Sequence, residues 1–120
     1  MAVTLSGTLS TDGAAPVNTP PVVEAGPNQS VTLAGGTATV TLAGTATDSD
    51  PSDTLTYAWS RYTGPATVAF SDAASPTSEA TFTAAGTYVL RLSVSDGSAT
   101  VTDDVTITVA AEPVFAYVEP

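Results

Sequence analysis

The chain has 120 residues, enough for one domain with its own core and too few for two of ordinary size. Twelve acidic residues face only two basic ones, Arg61 and Arg91, for a formal charge of −10, and the chain has no histidine, cysteine or lysine. That balance argues against nucleic acid and anionic membrane surfaces as partners, because nothing here displaces counterions from phosphates. It also removes His- and Cys-based catalysis, Schiff-base lysines and zinc sites built on imidazole or thiolate.

Threonine, valine, alanine, serine and glycine dominate, and the stiff β-branched types among them suit a pleated surface. Residues 1–18 form an arm with one short alternating stretch, Val3, Leu5 and Leu9, near 3–9. The domain proper is expected over 19–110, opened by Thr19-Pro20-Pro21. Its strands are predicted near 22–24, 29–33, 38–46, 55–62, 67–70, 78–83, 86–95 and 99–109. The alternation is clearest from Tyr88 to Val94, where Tyr88, Leu90, Leu92 and Val94 share one face. Leu55, Tyr57 and Trp59 share a parity, as do Val105, Ile107 and Val109, so each strand has one apolar face. Antiparallel sheets wetted on one side read this way. Tyr57 falls on the core side and Tyr62, of opposite parity beside Arg61, on the exposed one. Asp96-Gly97 between two alternating runs is the strongest hairpin signal. The tail, 111–120, holds an apolar group, Val114, Phe115, Tyr117 and Val118, with a last short strand expected near 114–118. No apolar stretch reaches the roughly 20 residues that span a bilayer, so membrane insertion is not expected.

From Pro20 to Val109 the chain carries PPVVEAGPNQSVTL, LAGTATDSDPSDTLTYAWS, TGPATVAFSD and AAGTYVLRLSVSDGSATVTDDVTITV in that order. The ordered set resembles the polycystic-kidney-disease (PKD) type of immunoglobulin-like domain, in the variant common in bacterial surface proteins. The segment after Trp59 departs from the best-known members, which follow the tryptophan with Asp-Phe-Gly-Asp-Gly. The resemblance implies an all-β, two-sheet Greek-key sandwich with Trp59 and Tyr88 as core anchors.

It also implies that the connection holding Asp48, Asp50 and Asp53 emerges at the same end as the turn holding Asp96. Some PKD-like domains bind calcium there, through an Asn in the linker, an Asp-x-Asp loop and an Asp in the final hairpin. The matching positions are Asn18, Asp48, Asp50 and Asp96, and calcium is the one cofactor the sequence suggests. The alternative is a solvated loop tip in which Asp and Ser are turn formers. A catalytic carboxylate pair needs a cleft that shifts one pKa, and a 90-residue sandwich offers little depth, so no enzyme is expected.

The functional expectation is a non-enzymatic structural protein, a decoration or accessory protein on a phage virion. A chain that opens with Met1 and lacks an export signal suits intracellular manufacture and display on the virion surface. The arm and tail residues Val3, Leu5, Leu9, Val114, Phe115, Tyr117 and Val118 would contact a virion shell protein or a second copy of the chain. The alternative is an adhesion or carbohydrate-binding spacer from a secreted or cell-surface protein, with a host-surface glycan as ligand.

Overall fold

A computed structural model describes residues 17–113. Nine strands run in chain order, with no helix among the described residues: β1 (Val22–Glu24), β2 (Gln29–Thr32), β3 (Ala38–Thr41), β4 (Thr45–Thr47), β5 (Thr56–Thr63), β6 (Ala69–Phe70), β7 (Glu79–Phe82), β8 (Gly86–Ser95) and β9 (Thr100–Ala110). One sheet has the order β2-β9-β8-β5, a second β3-β7-β6, and β1 pairs with β4. The predicted strand over 38–46 is two strands, because the chain pinches in at Leu42–Gly44. There Leu42 N–H donates to Ser78 O and Gly44 N–H to Pro76 O, so the segment stays tied to the strand side of β7. Only glycine fits at 44: a Cβ would stand 2.7 Å from Leu92 Cδ2 and 2.8 Å from the Pro76 oxygen.

The architecture is the expected two-sheet sandwich, with one difference in pairing. β2 runs parallel to β9, Gln29 opposite Ile107 and Thr32 opposite Ala110, whereas the other pairs are antiparallel. The cause is a change of sheet. The chain leaves β1, which pairs with β4, crosses through Ala25–Asn28 and joins β9. Gly26, at φ +93°, turns the backbone there, and the crossing is pinned to β9 at two points. Ala25 N–H donates to Asp103 Oδ2 at 2.7 Å, and Thr106 N–H donates to Asn28 Oδ1 at 2.9 Å.

Alternation in β8 is complete: Tyr88, Leu90, Leu92 and Val94 are fully buried, and Val89, Arg91 and Ser93 face outward. They meet Val105, Ile107 and Val109 of β9 and Val40, Leu42, Ala80 and Phe82 from the facing sheet. Trp59 is 4% exposed, and its indole Nε1–H donates to Pro76 O at 3.2 Å. Tyr57 is half-buried against this core, while Tyr62 is exposed. At the pole where β8 begins, the Tyr88 hydroxyl donates to Ala84 O at 2.7 Å, and its ring packs on Phe82 with centroids 4.7 Å apart. A buried tyrosine needs such a partner for its hydroxyl.

Candidate metal centre

The opposite pole is built from two connections. Residues between β4 and β5 carry Asp48, Asp50 and Asp53, and the turn between β8 and β9 carries Asp96; the pairing of Thr56 with Ser95 sets them side by side. Turn chemistry shapes each piece. Asp48 Oδ1 accepts Asp50 N–H at 2.7 Å and Asp53 N–H donates to Asp50 O, closing the loop on itself. Asp96 Oδ1 accepts the N–H groups of Ser98 and Ala99 at 2.8 and 2.7 Å, which folds the tight hairpin.

Each of the four carboxylates offers an oxygen that lies within 4.8 Å of the others. Asp96 is buried and the other three are half-buried. The incoming chain is wired into the group: Asn18 Nδ2 donates to Asp96 Oδ2 at 2.8 Å and Thr19 N–H to Asp50 Oδ2 at 2.8 Å. A cleft of about 290 Å³ opens beside it, lined by Val17, Asn18, Asp50, Ser52, Asp53 and Ser98. The larger groove, about 470 Å³ between β1, β4 and β9, lies away from this cluster and shows the exposed carboxylates of Glu24 and Asp103.

The electrostatics split the four. Asp53 is raised above the ordinary carboxylate value, first by loss of water and then by the charges of Asp48, Asp96 and Asp50. Asp96 is lowered, first by the Ala99 N–H, then by the Asn18 amide and the Ser98 N–H. Both arginines act elsewhere, Arg61 on the Gly64 carbonyl and Arg91 on Asp104. Two oxygens, Asp48 Oδ2 and Asp53 Oδ2, are closed off from solvent and accept no hydrogen bond. Buried carboxylate oxygens without donors are costly, and a cation is the partner that would relieve them. All the ligands on offer are oxygen, the set that suits a hard cation such as calcium. The donor set fits. Asn18 presents its NH₂ to Asp96, so its carbonyl oxygen is the end a cation would take.

The structure thus brings together Asn18, Asp48, Asp50 and Asp96, and it adds Asp53, which the sequence pattern left out of the ligand set. Three aspartates in six residues were the available signal; which of them turn inward depends on the loop's own hydrogen bonds. Val3, Leu5, Leu9, Val114, Phe115, Tyr117 and Val118 lie outside the described residues.

The family model for the K319L-like PKD domain matches residues 25–109. The PKD domain of the KIAA 1837 protein is similar at 26% identity and TM-score 0.60, over 88% of this chain and 98% of that one. The PKD domain of human KIAA0319 aligns with TM-score 0.65 at 22% identity, over 94% and 100%. An endo-fucoidan hydrolase of glycoside hydrolase family 107 shares the fold, with TM-score 0.52 and 21% identity, over 78% of this chain and 14% of that one. Curated proteins yield no match to the sequence. Immunoglobulin-like modules of this kind are generally non-catalytic and suited to protein interaction. With its two-sheet sandwich and a family match spanning most of its length, the chain belongs to the K319L-like PKD domain family.

Proposed function

We propose that this PKD domain is a non-enzymatic structural module whose acidic pole, loaded with calcium, fixes the segment that leads into it. The observation that carries this reading is the pair of orphaned oxygens, Asp48 Oδ2 and Asp53 Oδ2, in a cluster that also grips Asn18 and Thr19. A cation there would tie three pieces of chain together: the incoming segment, the β4–β5 connection and the final hairpin. Asp48, Asp50, Asp53 and Asp96 would hold it; Asn18 would complete the shell. Binding would add rigidity at one end of the sandwich and supply no chemistry.

In its finer form the proposal is a decoration or accessory protein on the surface of a phage virion, docked through its terminal segments. Its support is the apolar character of the arm and tail sequences around an otherwise acidic chain, where a solvated linker would be polar. The test compares the full chain with a version lacking residues 1–17 and 113–120. The truncated protein is expected to stay folded and to lose co-sedimentation with the particle. If it co-sediments as well as the full chain, the contact lies on the sandwich and the docking assignment is wrong.

One observation favours a second reading, a spacer in a secreted or cell-surface protein. Asn18 enters at the Asp96 pole, while β9 ends opposite Gly86, at the far pole. A module entered at one end and left at the other suits beads on a string. Neighbouring genes separate the two: head or tail genes fit the virion, and one long frame with further domains fits the spacer.

A further inference from the structure

The outward face of the β2-β9-β8-β5 sheet is set apart from the rest of the molecule by charge. Among the described residues, carboxylates gather at the acidic pole and appear on β1, β7 and the loops. On the four strands of this sheet only β9 carries acidic side chains, Asp103 and Asp104. Asp103 turns toward the sheet crossing, where it accepts the Ala25 N–H. Asp104 is neutralised by Arg91 through two hydrogen bonds, Nε–H to Oδ1 at 2.8 Å and Nη2–H to Oδ2 at 3.0 Å. Both cations of the chain belong to this sheet, Arg91 on the outward face and Arg61, opposite the core residue Leu90, on the other.

The same face carries an exposed aromatic ring. The register of β5 on β8 slips between Arg61 and Thr63, and Tyr62 lies at this bulge, facing out beside Arg91. The guanidinium carbon of Arg91 stands 3.6 Å from the Tyr62 ring centroid, and the tyrosine as a whole remains 54% exposed. Tyr62, Arg91 and Asp104 therefore hold one another in fixed positions while still facing water. Tyrosine and arginine are the types that concentrate binding energy at protein interfaces, and side chains already ordered lose less entropy on docking. Around them Ser60, Ser93, Thr102 and Thr106 face the same way and add hydroxyls and methyls.

We infer that this face is a self-association surface, and that its occupant is the same face of a second copy of the chain. A molecule of charge −10 meeting its twin through the acidic pole, or through the groove that shows Glu24 and Asp103, sets carboxylates against carboxylates. Here the two faces are each close to neutral. A two-fold axis beside the Arg91–Asp104 pair would set Arg91 of each copy near Asp104 of the other, and Tyr62 of each against the partner's hydroxyls. Strand rise and spacing give the face about 500–600 Å² per copy. The total of about 1,000–1,200 Å² lies at the lower limit for a specific interface, so the dimer is weak and reversible.

Sedimentation equilibrium of the full chain from 10 μM to 1 mM tests this, with circular dichroism to establish that each variant is folded. The average mass is expected to climb from 11.9 kDa toward twice that value. Tyr62→Ala is expected to weaken association at least tenfold. Arg91→Asp and Asp104→Arg should each stay monomeric alone, and a mixture of the two should associate, because the charges are again complementary. A wild-type chain that remains monomeric at 1 mM overturns the inference. So does association that survives Tyr62→Ala and Arg91→Asp unchanged, or that vanishes only when the terminal segments are removed. A wild-type monomer that binds a neutral polysaccharide through Tyr62 would likewise assign the face to a glycan and not to a second copy.

Discussion

The two poles of the sandwich are closed in opposite ways. At the Tyr88 pole the ring fills the space between the sheets, its hydroxyl bonds the Ala84 carbonyl, and Gly64 and Gly86 let the neighbouring loop come close. A Cβ on Gly64 would run into the Tyr88 ring. At the other pole four carboxylates converge, two of their oxygens buried without donors. One end of the molecule is complete with its own atoms. The other gathers charge that a cation would balance, and it is the end at which the chain arrives. With a cation at the acidic pole, as proposed, stability and responsiveness would be separated along one short sandwich.

The largest effect should come from the layer between the poles, which owes nothing to any ion. Trp59→Ala removes a side chain that is 4% exposed and is expected to cost about 3–5 kcal/mol by chemical denaturation. A loss below about 1 kcal/mol would mean that the indole contributes little to the core. Next comes the acidic pole. Millimolar calcium is expected to raise the melting temperature by several degrees, since saturation a hundredfold above Kd stabilises by about 2.7 kcal/mol. Magnesium should do less, because it demands tighter octahedral geometry, and Asp50→Asn should abolish the calcium response. Scanning calorimetry with no calcium shift would leave the poles differing in charge alone. The smallest effect belongs to the closed pole. Tyr88→Phe deletes the hydrogen bond to Ala84 and should cost about 1 kcal/mol, equally with and without calcium. A calcium-dependent cost there would show that the two ends are coupled.

Much of the sandwich was legible because each strand buries one face, so the pleat writes itself into the sequence. β8 is the plainest case: from Tyr88 to Val94 parity alone separates core from surface. The Asp96-Gly97 turn was equally plain, since the left-handed backbone at Gly97, φ +95°, is what that dipeptide favours. The crossing from β1 to β2 was not. It depends on Ala25 and Asn28 meeting Asp103 and Thr106, contacts between residues 78 apart that leave no local pattern. The pinch at Gly44 hid for a similar reason, because its cause is the nearness of Leu92 and Pro76. At the acidic pole the residue types were readable, but the inward turn of Asp53 was set by loop geometry. Parity placed Tyr62 outside, yet its stacking on Arg91 beside the β5 bulge leaves no local pattern.

The parallel pairing of β2 with β9 has a mechanical meaning. The first of these strands leads back to the chain's beginning and the second leads on to its end, and both run the same way. Tension applied at the two ends would draw β2 and β9 in opposite directions along their common axis. Their rungs, together with the Leu33 N–H to Ala110 O bond, would then be strained together instead of one after another. An antiparallel pair pulled from adjacent ends peels like a zipper; this pair must shear as a unit. The change of sheet at Gly26 would thus give a small, cysteine-free domain a clamp against stretching at the seam between its second and last strands.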